Sequence, residues 1–295
     1  MGALSTSKIK LPMSVVTELI NKAKDVSTIA ALSTAQPVKF SDQTHLIFTP
    51  SAEAEVVAEG AQKSAYEQKI SMVEGKRFKV VTTTRVSDEL KWANEDNQLE
   101  IISNIQADQS EALGRALDYV VYHAINPKAG TTLSGFTSLV SQANAVTATG
   151  DVTKDIDSMT DAIIDYNING FALSRKFASD MRKLRVPATG QRLYPEIPLS
   201  LNVGNIDGIP SVVSGTVNGK VATTATKVLG IMGDFSLIRW GMVRDIYSEI
   251  IEYGDPDQSG VDLKANNQVA YRTEAVFAYA ILDPKGFAVL KSAAA

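Results

Sequence analysis

The residues best placed to do chemistry in this chain are aspartates. Asp157, Asp161 and Asp165 recur every four residues. That spacing puts carboxylates on one stripe of a helix, where oxygen ligands could hold a divalent cation. Like charges so placed repel unless solvated or paired, so a solvated face competes with a metal face. Asp255, Asp257 and Asp262 share a turn-rich loop with Gly254 and Gly260. Calcium loops have this composition, but the spacing matches no EF-hand. His45 and His123 stand in unrelated contexts, and neither has nearby partners for general-base work or metal ligation. His123 ends a helical pattern, where a cation would suit the dipole. Gly215 to Lys220 falls one residue short of a phosphate-binding loop and lacks the hydroxyl after its lysine. The chain has no cysteine, hence no thiolate nucleophile, disulfide or cysteine zinc site. These patterns predict no catalytic residue, no metal and no cofactor, in a protein that is not an enzyme.

The elements that would have to position such groups carry more information. From Glu53 to Val86 the sequence reads as two extended strands with a glycine-bearing tip at Gly60-Ala61-Gln62-Lys63-Ser64. Phe78, Val80, Thr82, Thr84 and Val86 alternate with Arg77, Lys79, Val81, Thr83 and Arg85, the period of a strand with two different faces. Before them, Glu55, Glu59, Lys63, Glu67 and Lys69 interleave both signs of charge with few large apolar groups. An isolated two-stranded hairpin is marginal in water. A long, charged one predicts a projecting arm stabilised by lying on something else.

Residues 1 to 50 read as weakly structured, with a short helix from Ser14 through Lys24. Lys8, Lys10, Lys22 and Lys24 make this arm basic. It is either a solvated surface helix or an arm that docks on a neighbouring subunit. After the hairpin, Ser87-Asp88-Glu89 or Asn94-Glu95-Asp96 offers a helix cap. Apolar residues from Leu99 to Ala124 then predict one spine helix from Glu95 to Ala124, about 45 Å long, stopped by Asn126-Pro127 and Gly130. The middle alternates a helix over Asp155–Asn167, a buried strand at Gly170–Leu173, a helix from Ser174 and a strand at Ile209–Val213. The last third is strand-rich, with Gln268 to Leu282 as its longest stretch.

The totals exclude several classes. The chain has 295 residues, 44% of them hydrophobic, with 29 basic residues against 33 acidic. That is enough length to bury roughly three quarters of the unfolded surface. The near-balance of charge argues against a dedicated nucleic-acid binder. No stretch approaches eighteen uninterrupted apolar residues, so no membrane contact is expected.

The order of short motifs resembles one family. Leu229 to Ser236, Arg239-Trp240-Gly241-Met242-Val243, Gly254-Asp255-Pro256, Asn267 to Glu274 and Ala280 to Ala288 follow one another as in the major capsid proteins of tailed bacteriophages with the Hong Kong ninety-seven type shell fold. Ala58 to Lys63 and Val86 to Leu90 are similar to that family's extended loop and the start of its spine helix. Asn169 to Ser174, Gly190 to Tyr194 and Gly208-Ile209-Pro210 resemble its axial domain.

The resemblance implies an α+β fold. It places an N-terminal arm at 1–50, an extended loop at 51–85, a peripheral domain at 86–134 and 240–282, and an axial domain at 135–239 and 283–295. It implies self-assembly into hexamers and pentamers forming an icosahedral head around double-stranded DNA, which the shell touches weakly and without sequence preference. Portal, scaffolding and decoration proteins are further implied partners, the virion capsid the location, and the bacterial cytoplasm the place of synthesis. Glu55, Glu59, Gly60, Lys63, Glu67, Lys69 and Arg77 are the expected contacts of the loop, and Lys8, Lys10, Lys22 and Lys24 those of the arm. The family's scaffolding segment has no counterpart before the arm, and no acceptor for its lysine–asparagine cross-link can be matched. An encapsulin-like nanocompartment shell is the alternative, and a monomeric α/β enzyme is a third reading.

Overall fold

Residues 76–87 form the strand that the alternation predicts, β3 (Lys76–Ser87), but it pairs with the far end of the chain. The computed structural model describes residues 26–36, 44–49, 54–60, 62, 63, 65, 69–97 and 101–293. β3 lies antiparallel to β10 (Gln268–Ile281), with Ser87 opposite Gln268 and Lys76 opposite Tyr279. On its other side β10 pairs with β9 (Ile238–Ile251), giving the order β3-β10-β9. The expected Glu53–Val86 hairpin is thereby corrected. Its earlier strand, β2 (Lys69–Glu74), pairs instead with β1 (Thr44–Thr49), inside the stretch read as arm, and the two form a separate sheet. The physical reason is cover: Phe78, Val80 and Val86 need a core, and β10 brings one with it.

That core lies under a helix. Ser87 Oγ accepts the Leu90 amide at 3.3 Å and so caps α2 (Asp88–Asn97), with Asp88 and Glu89 in its first turn. α3 (Ile101–His123) follows. Of the single spine helix expected over Glu95–Ala124, the residues up to Asn97 belong to α2, which begins at Asp88, and α3 supplies Ile101–His123, with 98–100 outside the described residues. The 23 residues of α3 span about 35 Å. Ala124 leaves the helix in the left-handed region, and Gly130 closes the following turn at φ 69°. A Cβ on Gly130 would stand 2.1 Å from the Val221 carbonyl oxygen, so only glycine fits there.

The second sheet has six strands. They are β4 (Asn144–Thr147), β5 (Gly170–Leu173), β6 (Asn205–Ile206), β7 (Ile209–Val213), β8 (Val228–Gly233) and β11 (Phe287–Lys291). Their order is β4-β11-β8-β5-β7-β6, with parallel pairs at β4–β11 and β5–β7. Alternation sends Phe171, Leu173, Met232, Ala288 and Leu290 to one face. There α5 (Val152–Asp161) and α6 (Arg175–Lys183) cover them. Ser174 caps α6 as its sequence predicts, accepting from the Phe177 amide. α5 is shorter than the expected Asp155–Asn167 helix, so Asp165 lies beyond its end. On the other face Ala172, Ile231, Phe287 and Val289 meet Leu113, Leu117, Val120 and Val121 of α3. The same cluster takes in Phe277 and Tyr279 of β10, so the carboxyl-terminal half of α3 is core to both sheets at once.

Candidate assembly surfaces

Among the described residues, the β1–β2 ribbon carries an apolar row without cover. Leu46 stands opposite Met72 in the register, and Ile70, two residues from Met72 along β2, shares their face. Leu46 is 56%, Ile70 55% and Met72 72% exposed. Beyond the ribbon, Glu55, Glu59, Gly60 and Lys63 are exposed, and Gly60 turns at φ 79° into open space. Lys69 begins β2 opposite Thr49, and Arg77 lies half-buried in β3 opposite Ala278, so Arg77 belongs to the larger sheet. Glu67 and the arm residues Lys8, Lys10, Lys22 and Lys24 lie outside the described residues. The structure thus gathers Glu55, Glu59, Gly60 and Lys63 at one end of the ribbon and sets Arg77 apart. Sequence reading missed the apolar row because it sought alternation only from Arg77 onward. Its signal was the pair of short runs Leu46-Ile47-Phe48 and Ile70-Ser71-Met72.

A second uncovered patch lies along β9. The register places Ile250 and Ser248 on the face that carries Tyr271 and Thr273. α3 packs over β3 and β10, which leaves Ile246 and Ile250 exposed.

Residues 26–36, by contrast, are fixed to their own subunit. α1 (Thr28–Leu32) presents its first amides to the buried Asp118 of α3. The Asp118 carboxylate accepts from Ser27 Oγ (2.7 Å), Thr28 N (2.7 Å), Thr28 Oγ1 (3.0 Å), Ile29 N (3.2 Å) and Thr216 Oγ1 (2.6 Å). Tyr122 lies 2.8 Å from Thr28 Oγ1 and, since that hydroxyl donates to Asp118, supplies the proton of this bond. Burial pushes the Asp118 carboxyl up, opposed by the hydrogen bonds from Thr216, Thr28, Ser27 and Ile29. Further along, Ser33 Oγ donates to Ile238 O and the Gln36 amide to Trp240 O. The stretch from 26 to 36 therefore straps α3, the loop after β7 and the start of β9 together. A lone acid inside the apolar run Leu117-Asp118-Tyr119-Val120-Val121 was the available sign.

The aspartates of the turn-rich loop have a partner within the chain. Arg85, whose side chain is 4% exposed, donates Nε to Asp257 at 3.0 and 3.1 Å and Nη2 to Asp255 at 2.5 Å. Nη2 also reaches Asp257, and Nη1 donates to Val261 O at 2.8 Å. Hydrogen bonding to Arg85 holds the Asp257 carboxyl down at about 2. The calcium reading is replaced by this clamp, which pins the loop to β3. Asp262 instead accepts from the Ala265 amide.

His123 is buried, with Nε2 at 3.1 Å from Thr216 O and 3.0 Å from Val217 O. Carbonyls only accept, so Nε2 carries a proton and donates. Burial lowers the ring to about 4, which makes it neutral near pH 7 and corrects the expected cation at the helix end. His45 lies half-buried in β1, far from it in the sequence. Asp157 and Asp161 are exposed on α5, and Asp165 is exposed beyond it.

Comparison with known proteins adds an independent line. A model described as the phage capsid family matches residues 9–292. A solved structure from Mycobacterium phage Ogopogo is 35% identical, with a TM-score of 0.85 over 99% of this chain and 100% of that one. One from Gordonia phage Cozz is 29% identical, with a TM-score of 0.80 over 97% and 92%. The capsid of a native GTA particle, 14% identical with a TM-score of 0.66 over 97% and 96%, shares the fold. Among curated proteins no sequence matches.

Proposed function

The chain belongs to the phage capsid family, and from that premise we infer how its subunits build the shell. It is a major capsid protein with the Hong Kong ninety-seven type fold, a structural component of the virion. The ribbon carries the reading. Two strands that pair with neither larger sheet, with Leu46, Ile70 and Met72 half or more exposed, are marginal in water. Full burial of one such side chain contributes about 1.5–3 kcal/mol. Laid on a neighbouring copy, the row is covered, and the charged end at Glu55, Glu59 and Lys63 meets the neighbour's polar surface. Individual ion pairs there are weak, about 0–1 kcal/mol, but a closed shell repeats them and gains through multivalency.

Hexamers and pentamers closing an icosahedral head follow from heterologous, ring-closing contacts. Packaged DNA meets such a shell through diffuse charge. Portal, scaffolding and decoration proteins are its further partners. Electron microscopy of the purified chain tests the proposal: closed shells are expected, and a clean monomer at micromolar concentration counts against it. Glu59→Lys with Lys63→Glu is expected to leave the subunit folded by circular dichroism and to cut particle yield several-fold. Unchanged yield removes the charged tip from the mechanism.

A further inference from the structure

The three aspartates of the α5 region remain unused by the ribbon contact, and they have a counterpart. Residues 151–165 hold five acidic residues and one basic, whereas residues 175–192 hold six basic and one acidic. The stretch between them, Tyr166 to Ser174, carries no charge and contains β5. Both helices turn apolar faces onto the same side of the six-stranded sheet, Met159 from α5 and Phe177, Ala178 and Met181 from α6. Asp155 is buried and accepts from Thr149, whereas Asp157, Asp161, Lys176 and Lys183 are exposed. α5 lies over β4 and β11 at one edge of the sheet, and α6 lies against β8 further in.

The basic side is locally unfavourable. Asp180, its one acid, is shared by Lys176 at 2.8 Å and Lys183 at 2.9 Å. Arg185 and Arg192 stand directly opposite across an antiparallel bridge, an arrangement in which like charges destabilise. Both are exposed. Arg185 turns its Nη1 back to the Arg182 and Leu184 carbonyls at the end of α6. Such a hairpin is relieved by an anionic surface.

We propose that this surface is the α5 strip of a second copy: Asp157, Asp161 and Asp165 of one subunit face Arg182, Lys183 and Arg192 of the next. The proposal rests on the ring-forming reading above. A heterologous ring brings two different patches of the same chain into contact, so each subunit must carry both halves. Charge segregated into two strips on one face of one lobe supplies them. Packaged nucleic acid is the other polyanion of suitable chemistry. It would leave the acidic strip without purpose, and that strip, on the same sheet face, would repel it. Complementary strips also set register and suppress wrong pairings.

Two charge-reversed chains decide the matter. One carries Asp161→Lys and Asp165→Lys, the other Arg182→Glu and Arg192→Glu. Each alone is expected to keep the circular dichroism and melting temperature of the parent subunit and to lose at least tenfold in sedimentable particles. Mixed in equal amounts they should recover most of the particles, because alternating subunits restore every opposite-charge contact around a hexameric ring and four of the five around a pentameric one. An effect confined within one subunit gives no rescue on mixing. The neutral pairs Asp161→Asn with Asp165→Asn and Arg182→Gln with Arg192→Gln, milder for folding, should lose several-fold. Normal assembly of either reversed chain overturns the proposal, as does a mixture that stays unassembled. Shells that form normally but lack nucleic acid assign the basic strip to the polyanion instead. Absence of shells from the parent chain itself sinks the capsid reading, and that control is read separately.

Discussion

β2 and β3 follow one another with only Gly75 between them, and their surroundings differ completely. β2 exposes Ile70 and Met72, while β3 buries Val86 fully and packs Phe78 and Val80 into the main core. Composition does not separate them, since both alternate apolar with polar residues. What separates them is reach. α3 and β10 pack along β3, whereas β2 pairs with β1 alone and meets β10 only marginally. Burial is thus a property of what stands over a strand, and the uncovered apolar row is where we propose that a neighbouring copy lies.

The contrast can be broken from the covered side first, where effects on the subunit are largest. Asp118→Ala removes the acceptor of five hydrogen bonds and leaves buried donors without a partner. Each buried donor left unsatisfied costs about 1–3 kcal/mol, to be read by urea unfolding of the subunit. An unchanged midpoint would show that the strap from 26 to 36 contributes little.

The next effect depends on pH. His123 titrates at about 4 in the folded chain against an ordinary 6.5. As pH falls through 6.5 the unfolded chain takes up a proton that the folded one refuses, so stability present above 6.5 is lost on the way to 4. The loss amounts to about 3 kcal/mol. His123→Gln should flatten that part of the stability profile, and a profile of unaltered slope would assign the dependence to other groups.

The smallest effect on the subunit, and the sharpest for the comparison, is on the ribbon. Leu46→Ser with Met72→Ser acts on exposed positions and should move subunit stability by no more than about 0.5 kcal/mol. Particle yield should nevertheless fall at least tenfold. A substantial loss of subunit stability would mean that the ribbon is already covered within one chain.

Much of the fold was legible where local physics decides. The β3 alternation, the Ser87 and Ser174 caps, the buried run Gly170–Leu173 and the long stretch from Gln268 all lie where their residues predict. Pairing was not legible. The partner of β3 lies about two hundred residues away, and nothing in the period-two pattern distinguishes it from the neighbouring β2. The surfaces divide the same way. Glu55, Glu59 and Lys63 were legible as exposed charges, because charges interleaved with few apolar groups stand out. The Leu46–Met72 row and the Asp118 clamp could not, because each is assembled from segments distant in sequence.

The amino-acid sequence by itself determined the element types, the poverty of catalytic patterns and the order of motifs that resembles the capsid family, since these depend on neighbours within a few residues. The tertiary structure alone decided which carboxylates are buried and which are presented. Asp118 and Asp157 are both aspartates in helical runs. One lies beneath α1 accepting five hydrogen bonds and the other is open to solvent, because cover is supplied by distant parts of the chain.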